Sequence, residues 1–391
     1  MVLGKNIAQE RQKSSFYLDY QCRVCAVKMP NIFMHISSLN LTAKHFKKFY
    51  LGVVLMNDIT YLTKHYDEKI KRIKDIGAPL NFVFITDQHN RMNEWDLRWH
   101  PEKNPYDFEL AVNAIDSIQY ILDRCPEISC VISGGDIGND YNHDPDEVHK
   151  SQREVMEALY RLSVPVYCCI GNHDDALGAA TDNGFDNTKF VVLPDEMHKL
   201  CMKYNPTKEN YFYIDFPSYN YRFVFLNTSD KPYCLNKEGQ YEYPWRIEIS
   251  EKQAAWFERD ALNTKARIIV FSHVPLRTAG IFGTENSPQC IKPYDDLFNG
   301  PRVYYAAKQC KNVVAMIAGH VHYDNLLYDD HVVIITTMSS LMQEWDVSCL
   351  PRKVGTITET AFDVFSITDD VIYITRFGAG NDRVARIMPR E

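Results

Sequence analysis

The chain has 391 residues, 45% of them hydrophobic and 24% charged, ordinary globular values that exclude a disordered or fibrous protein. Lys and Arg number 43 against 51 Asp and Glu, a formal charge of −8, so no chain-wide basic field exists to hold nucleic acid. Apolar runs are short: Leu51 to Met56 is far below the roughly 20 residues that cross a bilayer, which predicts no membrane partner.

In chain order, residues 1–55 are basic and polar with no sustained period and read as a poorly defined extension, and the main domain is expected over 56–391, with Met56 an alternative start. Met1 to Gln12 shows no apolar signal region, so a cytoplasmic location is the default expectation. Phe82 to Thr86 is the first buried strand. Tyr106 to Arg124 spaces Phe108, Ala111, Ile115 and Ile118 at three and four, the period of an amphipathic helix. Cys130 to Ser133 is a second strand, and Asp144, Pro145 and Glu147 have the cap chemistry that opens a helix. Val166 to Ile170 is a third strand.

Tyr211 to Asp215 and Arg222 to Leu226 suggest antiparallel strands. Ser250 and Gln253 form a capping box before a helix that ends near Leu262. Ile268 to Ser272 and Val313 to Ala318 are further buried strands, and Val332 to Thr337, Phe362 to Ile367 and Val371 to Arg376 complete a second, antiparallel sheet. The alternation of strands and helices predicts an α/β layered domain. The 11 cysteines are odd in number and irregularly spaced, including the adjacent Cys168 and Cys169, which favours reduced thiols packed as small hydrophobes. Cys22-x-x-Cys25 has no second pair to complete a zinc site.

The short segments at the ends of five of these strands carry the chemistry. Asp87-Gln88-His89 ends the first, Gly134-Gly135-Asp136 the second and Gly171-Asn172-His173-Asp174 the third; His273 ends the fourth and Gly319-His320-Val321-His322 the fifth. Each block offers a metal ligand, and carboxyl ends of strands in α/β sheets converge on one rim. Singly the blocks are turn and cap chemistry; together and in order they describe a site.

This series resembles the calcineurin-like metallophosphoesterase superfamily over roughly Leu80 to Phe377. The resemblance implies a four-layer α-β-β-α sandwich with two facing mixed sheets and a site for two divalent ions. It assigns Asp87, His89 and His322 to one ion, Asn172, His273 and His320 to the other, and Asp136 as the bridge. His173 is implied as the proton donor and Asp174 as the residue that steadies that imidazole or its loop. Two divalent cations offset by Asp87, Asp136 and a bridging hydroxide leave about +1, enough to draw in a phosphate for in-line attack. The mixed nitrogen and oxygen donors suit Mn, Fe or Zn.

The block after Asp136 departs from two branches. Asn139 stands where purple acid phosphatases carry a tyrosine ligand, and Ile137-Gly138-Asn139-Asp140-Tyr141 lacks the arginine of serine/threonine phosphatases. The remaining pattern resembles the branch of cyclic nucleotide phosphodiesterases, with a small-molecule phosphoester as partner. The alternatives are a phosphomonoesterase or protein phosphatase, a nuclease, and a non-catalytic interaction protein like the retromer subunit of this fold. Asn90 to Asp107, with Trp95, Trp99 and His100, and Arg277 to Gly300, with Phe282, Tyr294 and Phe298, are expected specificity loops, and Arg98, His143 and Arg277 candidate phosphate contacts.

Overall fold

The computed structural model describes residues 59–91, 110–277, 297–341, 352–353 and 355–389. The N-terminal extension, Cys22 and Cys25, and most of both expected specificity loops, Arg98 included, lie outside the described residues. Among those residues, no helix is long and apolar enough to cross a membrane.

Helix α1 (Thr60–Ile76) buries Leu62, Tyr66, Ile70 and Ile73 and stops at Gly77, whose φ of 60° only glycine adopts freely. Strand β1 (Leu80–Ile85) is buried along its whole length. After it come α2 (Leu110–Leu122), β2 (Ile128–Ser133), α3 (Pro145–Leu159) and β3 (Val166–Cys168). The Asp144 carboxylate caps α3 by accepting from the Asp146 N–H. The chain continues through α4 (Leu177–Asp182), α5 (Pro194–Cys201), β4 (Phe212–Phe216), β5 (Tyr221–Phe225) and α6 (Glu251–Trp256), which runs on as a π-turn to Ala261. Ser250 caps α6 as expected, but the Gln253 side chain does not close the box; it bonds both the N–H and the carbonyl of Asn227, satisfying the backbone that leaves β5. The last elements are β6 (Arg267–Ser272), α7 (Gly300–Gln309), β7 (Val313–Ala318), β8 (Asn325–Asp329), β9 (Val332–Thr336), β10 (Ala361–Ile367), β11 (Val371–Gly378) and β12 (Arg383–Arg386).

The strands form two six-stranded mixed sheets, ordered β12-β11-β10-β1-β2-β3 and β4-β5-β6-β7-β9-β8. This divides them differently from the sequence expectation. The closing pair β10 and β11 does not join a separate antiparallel sheet; β10 runs antiparallel beside β1. Strand β9 lies parallel to β7 and antiparallel only to β8. Sheet membership rests on pairings between distant segments, which local periodicity does not carry.

Helices α1, α2 and α3 cover the outer side of the first sheet, while the α6 turn and α7 pack Phe257, Val303 and Ala307 against Val224, Val270 and Met316 of the second. The result is the four-layer sandwich. Between the sheets lies an aromatic core: Phe82 stacks on Phe365 with centroids 4.9 Å apart and meets Phe223 and Phe271 edge-on at 5.0 and 5.6 Å. Cys125, Cys130, Cys168, Cys169 and Cys201 are free and buried, and burial pushes their thiols away from the reactive thiolate form. Phe82→Ala is expected to cost about 3 to 5 kcal/mol by the cavity it opens between the sheets. Urea unfolding checks this as a fall in midpoint at unchanged slope.

Candidate metal centre

Strands β1, β2 and β3 of one sheet and β6 and β7 of the other end on a common rim, and each runs directly into one of the five blocks. The loops after β1 and β2 are zipped together: Asp87 N–H donates to Gly135 O at 2.9 Å, His89 N–H to Asp136 O at 3.0 Å and Asn90 N–H to Ile137 O at 3.0 Å. Gly319 N–H reaches His273 O at 3.1 Å, and Ser340 N–H reaches Thr86 O at 2.9 Å, which ties the two sheets at the rim.

Close approach of these loops requires missing side chains. A Cβ at Gly171 would lie 2.0 Å from Asp136 Oδ1, and one at Gly319 would lie 2.4 Å from Asp87 Oδ2. Asp87, His89, Asp136, His320 and His322 all have φ between 40° and 68°. Each such residue costs on the order of 1 to 3 kcal/mol, strain that surrounding structure must hold in place.

Two groups of donor atoms result, and they share one carboxylate. Ligand atoms of Asp87, His89, Asp136 and His322 lie within 4.8 Å of one another, and so do those of Asp136, His273 and His320. Asp136 Oδ2 is 3.1 Å from His273 Nε2 and 3.7 Å from His89 Nε2, so a single oxygen faces both groups. Asn172 Oδ1 joins the second group, 3.1 Å from His273 Nε2. In the first group, His322 Nε2 is 3.1 Å from Asp87 Oδ1. All these residues are buried except His320, which is half-buried.

The donor chemistry fits divalent cations. His89 Nε2 and His322 Nε2 stand 3.3 Å apart, as do His320 Nδ1 and His273 Nε2. Two nitrogens each about 2.1 Å from one ion would be separated by about 3.0 to 3.4 Å. His273 Nδ1–H donates to Gly134 O at 2.8 Å, which leaves Nε2 as the ring atom turned into the site. The buried Asp and His cluster suits a dinuclear site.

The charges of the metal-free site are divided accordingly. Burial would raise Asp87, but His322 and His273 hold it down at about 2, and Asp136 is held well below the carboxylate range by His273 and His173 against the same burial. Burial depresses His89 to about 4 and His320 to about 3. His273 resists burial because Asp136 and Asp87 push it up to about 9.

His173 stands beside the donors rather than among them. Its backbone N–H donates to Asp136 Oδ1 at 2.9 Å, and its ring Nδ1 lies 3.0 Å from both oxygens of buried Asp140. Burial opposes protonation, but Asp140 and Asp136 outweigh it and raise the imidazole to about 10. The imidazole's partner is therefore Asp140. Asp174 acts on the loop instead, accepting from the N–H groups of Asp136, Ile137 and Gly171 at 3.1, 2.8 and 2.7 Å. The signal for Asp140 in the sequence is a second carboxylate in the Gly-Asp block, four residues after Asp136.

Two candidate phosphate contacts point elsewhere. Arg277 pairs with Asp329 and donates to the Tyr304 hydroxyl, and exposed His143 packs on Phe185. Ser339, which no sequence motif marks, donates to the Asp87 carbonyl at 2.7 Å and steadies the loop that carries Asp87 and His89.

Residues 80–324 match the family model of the calcineurin-like phosphoesterase. No curated protein was found to match the chain. Among solved structures, a dimetal phosphatase from Danio rerio is similar in fold, with 17% identity and a TM-score of 0.53 over 80% of this chain and 100% of that one. GAP50, the anchor in the inner membrane complex of Plasmodium, aligns over 80% of this chain and 90% of its own at 14% identity and a TM-score of 0.48.

For the metal-free protein, His273 and His173 keep protons in the folded state that the unfolded chain releases near pH 6.5. Their stabilisation is complete below that pH and is lost as pH rises through about 9 and 10. Urea midpoints of metal-free protein are expected to fall from pH 6.5 to 9, and those of Mn-loaded protein to stay flatter; parallel curves would contradict the assignment.

Proposed function

From the premise that the chain belongs to the calcineurin-like phosphoesterase family, we propose that it hydrolyses small-molecule phosphoesters, a phosphodiester foremost, with two divalent cations bound. Asp136 carries this reading, since one buried oxygen faces both donor groups while His173 stands beside it. When bound, two divalent cations polarise phosphoryl oxygens and lower the pKa of water towards neutrality. The residues that would hold them are Asp87, His89 and His322 on one side and Asn172, His273 and His320 on the other, with Asp136 common to both. Mixed imidazole, carboxylate and amide donors favour Mn, Fe or Zn over Mg.

The remaining work falls to the chain itself. Asp140 orients the His173 ring by accepting at Nδ1, so Nε2 holds the proton that the departing oxygen needs. Asp174 keeps the Asp136 and Gly171 loops in register, and Gly134 O sets the tautomer of His273. The block after Asp136 supplies no arginine to grip a terminal phosphate, which supports a diester and a relation to the cyclic nucleotide phosphodiesterase branch over a protein phosphatase. The acidic balance supports a small-molecule substrate over nucleic acid, and a cytoplasmic setting accords with the free thiols of the described residues.

Mn-loaded protein is expected to hydrolyse a bis-aryl phosphate. Asp136→Asn should abolish turnover and reduce bound metal with an unchanged circular dichroism spectrum. His173→Ala should lower kcat about 10²- to 10⁴-fold at full metal content. Equal loss of metal and turnover in that variant would make His173 a ligand instead. A panel of cyclic nucleotides, diesters and monoesters assigns the substrate class.

A further inference from the structure

Two aromatic rings border His173 and have no part in holding metal. The Trp245 indole lies 5.0 Å from the imidazole, centroid to centroid, at 67°, and the Tyr141 ring lies 5.8 Å away at 45°. Both side chains are half-buried.

Trp245 is held with unusual care for a loop residue. Its Nε1–H donates to Asp182 Oδ2 at 2.9 Å. Its ring rests on Gly178 of α4, where a Cβ would come within 2.5 Å of three ring atoms, so only glycine admits the indole. Directly before it, the Pro244 carbonyl accepts from Lys231 Nζ at 2.7 Å. That ammonium is buried and 2.8 Å from Asp175 Oδ2, and the Tyr233 hydroxyl donates to the same oxygen at 3.0 Å. Asp175 is two residues past His173. A buried ion pair does little for net stability compared with apolar packing, so its presence here is better explained by placement. It fastens the Trp245 backbone to the loop of the proton-donating histidine.

We propose that Trp245 and Tyr141 form the subsite for the leaving group and that it takes a planar group, such as a nucleobase carried on the departing alcohol. The proposal rests on the phosphoesterase reading, because a proton given by His173 fixes the side from which the alcohol leaves. There the P–O bond to the alcohol breaks as a P–O bond to the oxygen of water forms, and the His173 proton ends on the alcohol. Both half-buried rings border the imidazole that would protonate the departing group, which places an aromatic wall on that side. Stacking of one base on an aromatic side chain is worth about 1 to 3 kcal/mol, roughly 5- to 150-fold.

Matched esters test this, since adenosine 5′-monophosphate and ribose 5-phosphate share the same reacting oxygen and differ in the base; their methyl diesters extend the pair. Mn-loaded protein is expected to favour the adenosine member at least tenfold in kcat/KM. Trp245→Leu should bring the ratio near one and Trp245→Phe should keep most of it, with Tyr141→Leu as a second variant should the first misfold. Calorimetric titration of adenosine alone gives a readout without turnover, and binding at least tenfold weaker in Trp245→Leu is expected. Hydrolysis without base preference, or adenosine binding that is absent or indifferent to Trp245, overturns the subsite and leaves the phosphoesterase reading standing. Trp245-dependent adenosine binding with no hydrolysis of any ester supports the subsite and overturns that reading instead.

Discussion

The Asp136 carboxylate is the group around which the structure is arranged. It is 1% exposed, lies at the meeting of two sheets and is charged in a place that water does not reach. A buried charge is expensive unless paired and hydrogen-bonded, so the residues around it must supply positive charge, donors or both. His173 N–H satisfies one oxygen, and the other faces two histidine nitrogens. Gly171 exists at its position because a larger residue would collide with this carboxylate. The left-handed backbone at five donor residues is part of the same arrangement, with strain accepted so that short loops can turn their side chains inward.

That strain is tolerable because the scaffold beneath it is rigid. The aromatic core between the sheets locks β1 against β5 and β6. A second anchor lies behind the loop that carries His320 and His322. Arg376 is fully buried and donates to Asp363 at 2.8 and 3.0 Å, to Asp324 at 2.7 Å and to the Ala379 carbonyl at 2.8 Å. Asp324 is two residues past His322 and also accepts the Met338 N–H. Asp363 further accepts from Thr337 and Arg383. Through this network β10 and β11 of the first sheet hold the loops that leave β7 and β9 of the second. Guanidinium forks suit the task because they bond several oxygens in one plane.

Local signals make the five strands that lead into the donor blocks legible, since a buried strand is a short apolar run that must stop where polar backbone or side chains take over. Val313 to Ala318 is legible to the residue, whereas Ile128 and Ser129 extend β2 beyond the expected start. Helix α1 is hard to see in the sequence because its buried Leu62, Tyr66, Ile70 and Ile73 are separated by lysines and acids that dilute the apolar stripe. Helix α7 opens with Gly300 and Pro301, residues that read as loop, and is helical because Val303 and Ala307 find a sheet to cover.

Sequence alone determined which residue types are available for metal chemistry and that each stands at a strand end, because both properties are local. The tertiary structure decided what the residues do. It placed Asp136 between two donor groups, gave His173 to Asp140 and Asp174 to the backbone, and brought Trp245 to the same imidazole from a loop far along the chain. These outcomes depend on distances of a few ångströms between segments whose spacing in the chain is unrelated to their spacing in the fold, and only the packing of two sheets sets those distances.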